Sequence, residues 1–240
     1  MVSLSELQPA IEYHCLTDLD LYDSPKCDRL ATQAAANRHL TILALPLHDE
    51  GNRGIRVRLC EDDYPGWLRV EDAQNLQPAA TPYVAPVLSA AEIQAKIPDA
   101  IAFTHRAMEK HECYLWGGTV GPNYDCSGLM QAAFASVGVR LPRDAYQQEA
   151  FSQPVDLKAL QPGDLIFFGT PEKATHVGLY LGEGRYIHSS GVEKGRNGMG
   201  IDVLSEEGGK VSQTYYRELR GAGRVVESYQ PHGTVDLKSG

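Results

Sequence analysis

The segment Asn123-Tyr124-Asp125-Cys126-Ser127-Gly128-Leu129 marks a place where a loop passes into a helix. Apolar residues then recur with helical spacing at positions 129, 130, 133, 134 and 137, and Gly138 follows as a stop signal. Partial positive charge on the free N–H groups of a helix N-terminus lowers a thiol pKa, and the same groups can bind an oxyanion. The segment therefore predicts a nucleophilic Cys126. The alternative is a buried, inert thiol.

Two histidines flank a predicted β-hairpin further along the chain. Strand signals cover 165–168, 177–181 and 185–189, and Gly182-Glu183-Gly184 is typical of a turn, so His176 and His188 lie on neighbouring strands. A hairpin loop of odd length places both imidazoles on one sheet face, whereas an even loop without a bulge places them on opposite faces. On one face they would supply the base and the orienting group that a thiol nucleophile needs. The alternative is that each is an ordinary half-buried strand residue.

The N-terminal part of the chain has an all-β pattern. Residues 41–45 and 55–59 are strand-like, and the second of these segments alternates strictly between apolar and polar side chains. Turn signals at Glu50-Gly51-Asn52 and Tyr64-Pro65-Gly66 separate such segments. These features predict a small barrel.

The C-terminal part begins with helical patterns. Residues 90–112 carry apolar side chains on one helical face, and we expect Pro98 to begin a second helix because proline is tolerated in a first helical turn. Helices followed by strands predict an α+β fold. Residues 73–91 hold no charged side chain and place three prolines four residues apart, which predicts a semi-rigid linker. The predicted division of the chain is a barrel at 1–75, a linker at 76–92, a catalytic domain at 93–230 and a tail at 231–240.

Composition excludes several classes of function. The 240 residues carry a net charge of −9 without a basic stripe, which argues against binding to nucleic acid or an anionic membrane. The first residues show neither the basic nor the apolar region of a secretion signal, and the five cysteines form no Cys-x-x-Cys pair. The predictions are a cytoplasmic protein with neither a disulfide framework nor a zinc site.

Six short segments, all in order, resemble the NlpC/P60 family of papain-like cysteine peptidases. They are Tyr114-Leu115-Trp116-Gly117-Gly118, Asp125-Cys126-Ser127-Gly128, Leu141-Pro142-Arg143 followed by a glutamine at 147 or 148, Leu160-Gln161-Pro162-Gly163-Asp164-Leu165, His176-Val177-Gly178 and Tyr186-Ile187-His188. The resemblance implies that Cys126 is the nucleophile, His176 the base and His188 the third polar residue. It also implies that Tyr114 lies beside the thiol. No metal or organic cofactor is implied.

The N-terminal part resembles a bacterial SH3-like (SH3b) barrel through Leu21-Tyr22-Asp23-Ser24-Pro25, residues 55–59 and Asp62-Asp63-Tyr64-Pro65-Gly66-Trp67. The combination looks like the cyanobacterial SH3b–NlpC/P60 enzymes, which are γ-D-glutamyl-L-diamino acid endopeptidases of the dipeptidyl-peptidase VI type. This resemblance implies hydrolysis of the bond between γ-D-glutamate and meso-diaminopimelate in peptidoglycan-derived peptides during murein recycling. It further implies a short cleft for peptides with a free N-terminal L-alanine, whose amine would meet Tyr64, Asp125 and Ser127.

Two other classes of function remain open from the sequence. In one, the barrel anchors the protein to the cell wall and the second domain is non-catalytic. In the other, a papain-like amidase or acyltransferase uses the same residues on a different acyl group. The presence of Cys126, His176 and His188 together argues against the first class, and identification of reaction products separates the second.

Overall fold

The structure is a computed structural model that describes residues 4–46 and 54–233, and it divides the chain into two compact units. The first unit comprises residues 1–85 and 230–240, and the second comprises 86–229. The C-terminal residues thus group with the first unit. The predicted turn at Glu50-Gly51-Asn52 lies outside the described residues.

The first unit is built on one antiparallel sheet, in agreement with the all-β prediction. Its strands are β1 (Glu12–Cys15), β2 (Leu19–Tyr22), β3 (Leu30–Ala34), β4 (His39–Ala44), β5 (Gly54–Leu59), β6 (Pro65–Arg69) and β7 (Leu76–Pro78). They follow the order β3-β2-β6-β5-β4-β1-β7. Alternation along the strands buries one face; Leu40, Ile42, Ile55, Val57 and Leu68 are fully buried in the resulting core.

The turn predicted at 64–66 lies slightly earlier in the chain. Pro65 and Gly66 begin strand β6, and residues 60–64 connect β5 to it. Pro65 is acceptable there because the first residue of a strand need not donate a hydrogen bond to the sheet. Asp63 in the connection adopts a left-handed conformation with φ of 60°, and its carboxylate accepts hydrogen bonds from the backbone N–H groups of His232 and Gly233.

The stretch assigned to a linker begins inside the sheet. Leu76–Pro78 forms β7, which pairs with β1 at the sheet edge. An edge strand tolerates Pro78, since one side of the strand needs no hydrogen-bond donor. The uncharged, proline-spaced pattern therefore did not exclude a short edge strand.

The second unit has three helices ahead of all six strands of its sheet, which confirms the predicted α+β class. Its helices are α1 (Ala90–Lys110), α2 (Cys126–Ala135), α3 (Ala145–Phe151) and α4 (Lys210–Tyr216). Its strands are β8 (Gln153–Val155), β9 (Leu165–Gly169), β10 (Ala174–Gly182), β11 (Arg185–Ser190), β12 (Gly198–Val203) and β13 (Leu219–Arg224). The antiparallel sheet has the order β12-β11-β10-β9-β13-β8.

Helix α1 runs through Pro98, so the predicted helix start at this residue is wrong. The helix begins instead with a capping box between Ser89 and Glu92. Proline inside a helix removes one hydrogen bond, but Ile93 and Ile97 are buried on the face that packs into the core. Burial of this face outweighs the lost bond and keeps the helix continuous.

Helix α2 lies against the sheet at the level of strands β10 and β11. Its buried residues Leu129, Met130 and Phe134 share one core with Val177 of β10 and Ile187 of β11. This packing brings the first residue of the helix to the strands that carry the two histidines.

Candidate active site

Cys126 is the first residue of α2, as predicted, and its thiol faces strand β10. The backbone N–H groups of Val177 and Ser127 lie close enough to its sulfur to favour the thiolate form. Val177 directly follows His176 in the chain. The contact therefore joins the thiol to the strand of the predicted base.

Burial dominates the chemistry of this thiol. Desolvation, reinforced by the negative charge of Asp125, raises the pKa of Cys126 to about 12, although the two backbone N–H groups and Arg143 act in the opposite direction. The prediction that the helix N-terminus would lower this pKa is therefore wrong for the isolated thiol, because the cost of burying a thiolate exceeds the helix contribution. Reactivity at neutral pH then requires a neighbour that takes the proton.

The hairpin between β10 and β11 settles which face each histidine occupies. Its loop has two residues, Glu183 and Gly184, and both have positive φ as in a type I′ turn. An even loop alone would separate the imidazoles. However, Tyr180 pairs with Tyr186 and Gly182 pairs with Arg185, so Leu181 forms a one-residue bulge. The bulge returns His176 and His188 to the same face.

The two imidazoles form a hydrogen-bonded pair inside the unit. His176 Nε2 lies 2.7 Å from His188 Nδ1, and the side chains are 6% and 0% exposed as whole residues. Burial lowers the pKa of both histidines. Both rings are therefore neutral at pH 7 in the resting state. A neutral imidazole can accept the thiol proton.

Gly178 allows this close approach of the strands. A Cβ atom at this position would lie 2.7 Å from Cδ2 of Tyr186 and 3.3 Å from Cβ of His188. Any side chain would push β11 away from β10. The glycine of His176-Val177-Gly178 thus has a packing reason that the sequence alone did not show.

An aromatic side chain that was not predicted from the sequence holds His176, the predicted base, in place. The ring of Tyr215, on α4, stacks on His176 with centroids 4.1 Å apart and planes 21° apart. Its hydroxyl lies 2.6 Å from the hydroxyl of Ser190. Tyr215 stacks on one face of the His176 ring, and His188 forms a hydrogen bond with its edge. Together they restrict the His176 imidazole to one orientation.

A buried carboxylate was also missed. Asp202 of β12 places Oδ2 at 2.8 Å from His188 Nε2 and 2.6 Å from Nη2 of Arg196. The sequence signal was an acidic residue between Ile201 and Val203, in a segment for which no strand had been predicted. A hydrogen-bonded row therefore runs from His176 through His188 to Asp202. Its first member directly precedes Val177, whose backbone N–H lies close to the Cys126 thiol.

Asp125 has a structural task at the start of α2. Its carboxylate accepts hydrogen bonds from the N–H groups of Gly128, at 2.7 Å, and Gly117, at 2.9 Å. The guanidinium of Arg143 binds it at 2.6 Å and also donates to the Ser127 hydroxyl at 2.9 Å. Arg143 is 2% exposed, and sequence reasoning gave it no role beyond its place in a family segment.

The predicted contact between Asp125 and a substrate amine faces competition from these donors. Asp125 Oδ1 already accepts three donors and Oδ2 accepts two, all from the protein itself. Ser127 accepts one hydrogen bond from Arg143 and donates one to Asp125, which leaves a lone pair on its oxygen. Of Asp125 and Ser127, Ser127 is therefore the better acceptor for a hydrogen bond from the substrate amine. The contact with the amine stays a prediction for both.

The two predicted tyrosines lie in different units. Burial raises the pKa of the Tyr114 phenol, and the charges of Cys126 and Asp125 add to this effect, so the phenol is within electrostatic range of the thiol. Tyr64 belongs to the first unit, where it is half-buried and its N–H donates to Asp62 at 3.2 Å. Its predicted contact with substrate stays a prediction.

No group of three or more His, Cys, Asp or Glu side chains within residues 4–46 and 54–233 is arranged to hold a metal ion. None of the helices in this part of the chain combines the length and the apolar character that a membrane span requires.

The sequence matches known families in both units. Residues 111–219 match the NlpC/P60 family, and residues 21–72 match the bacterial dipeptidyl-peptidase SH3 domain. A solved NlpC/P60 family protein from Bacillus cereus aligns with 90% of this chain and 64% of its own, at 26% identity and a TM-score of 0.49.

Two curated relatives carry the same printed name, gamma-D-glutamyl-L-lysine dipeptidyl-peptidase. The Bacillus subtilis protein is 40% identical over 95 residues, which are 38% of this chain and 30% of the relative. The Bacillus cereus protein is 32% identical over 158 residues, which are 62% of this chain and 42% of the relative. This chain thus matches less than half of the length of either relative. It contains a domain that matches the NlpC/P60 family, and a match to the bacterial dipeptidyl-peptidase SH3 domain lies ahead of it in the chain.

Proposed function

We propose that this protein is a cysteine endopeptidase that cleaves the γ-D-glutamyl–L-diamino acid bond of peptidoglycan stem peptides. The observation that carries the proposal is that the Cys126 thiol, at the start of α2, lies close to the backbone N–H of Val177, which directly follows His176, and that the His176 imidazole is hydrogen-bonded to His188. A nucleophile, a base and an orienting group in this order are what thiol-dependent acyl transfer requires. The names of the two Bacillus relatives support this class of bond.

The reaction follows from the positions of these groups. His176 accepts the thiol proton, and the resulting imidazolium stabilises the thiolate that burial alone would disfavour. The thiolate attacks the γ-glutamyl carbonyl, and the backbone N–H at the start of α2 binds the oxyanion. The imidazolium then protonates the leaving amine, and water hydrolyses the acyl-enzyme.

We extend the proposal to peptides with a free N-terminal L-alanine and meso-diaminopimelate in the third position. The Ser127 hydroxyl, next to the nucleophile, retains a lone pair for an ammonium group. Tyr64 and Asp125 complete the set inferred from the family resemblance. A buried ammonium without its acceptors costs enough free energy for discrimination on the order of 10⁴-fold against a blocked amine.

The proposed setting is murein peptide recycling in the cytoplasm. All five cysteines, at positions 15, 27, 60, 113 and 126, are free thiols. Free thiols persist in a reducing compartment, which supports this setting. Localisation of a tagged full-length chain by cell fractionation would test it.

Product analysis tests the activity directly. The protein is incubated with L-Ala-γ-D-Glu-diaminopimelate, with the lysine analogue, with the N-acetylated peptide and with intact cell wall, and products are identified by mass. We expect release of L-Ala-γ-D-Glu from the free peptide and little cleavage of the acetylated peptide or the wall. Cys126→Ala is the control for contaminating activity.

Other products would point to other functions. Transfer of the acyl group to an added amine would indicate an acyltransferase, and binding to cell wall without cleavage would indicate an anchoring module. Equal cleavage of all four substrates would contradict the restriction to free peptides.

A further inference from the structure

Asp202 connects strand β12 to the histidine pair and to a cation. Across β11 and β12, His188 pairs with Gly200, so Asp202 lies two residues further along on the same face. Its Oδ2 contacts His188 Nε2 at 2.8 Å and Arg196 Nη2 at 2.6 Å, and its Oδ1 accepts a hydrogen bond of 3.0 Å from the Ser212 hydroxyl. All three partners of the carboxylate can donate.

These donors keep the carboxylate ionised. Burial acts to raise the pKa of Asp202, but the hydrogen bond from His188 and the charge of Arg196 hold it below its usual range. An ionised carboxylate only accepts hydrogen bonds. His188 Nε2 must therefore carry a proton.

The position of this proton determines the state of both rings. His188 is neutral because burial lowers its pKa, so a protonated Nε2 leaves Nδ1 with a lone pair. That lone pair accepts a hydrogen bond from His176 Nε2, 2.7 Å away. His176 Nε2 is then the N–H of its ring. The remaining nitrogen, Nδ1, has no proton and is the one able to accept one.

We infer that Asp202 is a positioning residue, which fixes the tautomers of His188 and His176 so that His176 keeps an unprotonated Nδ1 for the Cys126 proton. The inference deepens the proposed function, on which it rests for the role of His176 as a base. When His176 takes the proton, the negative charge of Asp202 also stabilises the imidazolium through His188. Arg196 opposes this effect.

Other titratable groups surround His176 and His188, but none of those described below forms the hydrogen bond to a ring nitrogen that Asp202 forms. Tyr186 pairs with Asp202 across the strands, and burial raises the pKa of this phenol and of Tyr215, so both stay neutral. Lys194 lies 5.6 Å from the Tyr215 ring and acts to lower the pKa of His176. Glu193 lies within electrostatic range of Tyr215. Asp202 is the carboxylate that binds a ring nitrogen of the pair.

The first test measures alkylation of Cys126 by iodoacetamide against pH, which needs no substrate. In Asp202→Asn, loss of the negative charge destabilises the His176 imidazolium. The protonated thiol–imidazolium pair therefore loses a proton more easily, and the thiolate–imidazolium ion pair becomes less populated. We expect the midpoint of the profile to move down by roughly 0.5–1 pH unit and the plateau rate to fall several-fold. In Arg196→Met, loss of the cation should move the midpoint up.

The second test reads the tautomers by ¹⁵N NMR of histidine-labelled protein. In the wild type we expect His188 with a protonated Nε2 and an unprotonated Nδ1, and the same pattern in His176. Asp202→Ala should turn His188 into a mixture of tautomers. If either ring shows the opposite tautomer in the wild type, or if Asp202→Ala leaves both unchanged, the inference is overturned.

Asp164→Asn is the matched control. Asp164 is also buried, at 1% exposure, and it binds Arg224 at 2.7 Å and 2.8 Å without a hydrogen bond to a histidine. We expect reduced unfolding stability but an unchanged alkylation profile. If Asp202→Asn behaves in the same way, its role is structural only and the inference fails. If the profile shifts as expected but no peptide is cleaved, the inference stands and the proposed function fails.

Discussion

The two units each bury a thiol beside an arginine–carboxylate pair, and only one of the thiols has a chemical partner. Desolvation raises the pKa of Cys15 in β1 and of Cys126 in α2 to about 12. Near Cys15 the cation is Arg38, which cannot accept a proton because it is always protonated. Cys126 adjoins the strand of His176, the proposed base, whose neutral imidazole has an unshared electron pair that can accept a proton. In the proposed function, the buried thiol becomes a nucleophile because a neighbouring base takes its proton, and not because its own pKa is low.

The largest expected effect separates the two thiols by mutation. Cys126→Ala should lower turnover by on the order of 10⁴-fold or more, because it removes the attacking atom. Cys15→Ala should leave kcat/KM unchanged and cost about 1 kcal/mol of unfolding free energy through a small cavity. Peptide cleavage and denaturant unfolding measure the two effects. Residual activity near wild type in Cys126→Ala would refute the assignment.

The next effect ranks the two histidines. His176→Ala should lower kcat/KM by about 10³-fold, as expected for loss of a general base. His188→Asn should retain more activity, with a loss of about 10-fold to 100-fold, because its carbonyl can still accept the His176 N–H. Steady-state rates on one peptide compare them. An equal loss in both variants would mean that His188 does more than orient the base.

The arginine pairs provide a third comparison. Arg143→Met leaves the Asp125 carboxylate buried without its cation, and Arg38→Met does the same to Glu61 and Asp62. Each should cost about 3–5 kcal/mol of unfolding free energy. Arg143→Met should also lower kcat in the remaining folded protein, since Asp125 caps the helix of the proposed nucleophile. Any effect of Arg38→Met, through the contact of Asp62 with the Tyr64 N–H, should appear in KM instead. Unfolding curves and rates per folded molecule test this difference.

The smallest effect concerns labelling at pH 7. Iodoacetamide should modify Cys126 faster than the half-buried Cys113, and faster still than Cys15. In His176→Ala the Cys126 rate should fall about tenfold and then rise only toward high pH. The sign follows from the raised thiol pKa, since without the imidazole the thiolate forms only as the pH approaches about 12. Mass spectrometry of labelled peptides reads all three sites. Equal labelling of Cys113 and Cys126 would contradict the prediction.

Sequence patterns predicted the parts of the molecule that depend on local chemistry. The helical stripe after Cys126 and the strands around His176 and His188 were found because periodicity and turn residues report on short segments. Pro98 was misjudged because tertiary burial of α1, which no local pattern reveals, outweighed the propensity of one residue.

The candidate site was predictable only in part, for the same reason. Cys126 and the histidines stand in distinctive segments, whereas Asp202 and Tyr215 reach the site through strand pairing and helix packing far along the chain. The pKa of Cys126 was predicted in the wrong direction, because a helix N-terminus is visible in sequence and desolvation is not.

Because of the bulge at Leu181, the face on which His188 lies depends on whether the number of residues between the paired positions of β10 and β11 is even or odd. Deleting one residue from the two-residue loop, or removing the bulge, exchanges the two faces of β11 and turns His188 away from His176. Adding or removing two residues preserves the face. We therefore expect this hairpin to tolerate insertions or deletions of two residues. A change of one residue should be tolerated only when a bulge is gained or lost at the same time. A loop transplanted into this hairpin must satisfy the same even–odd condition.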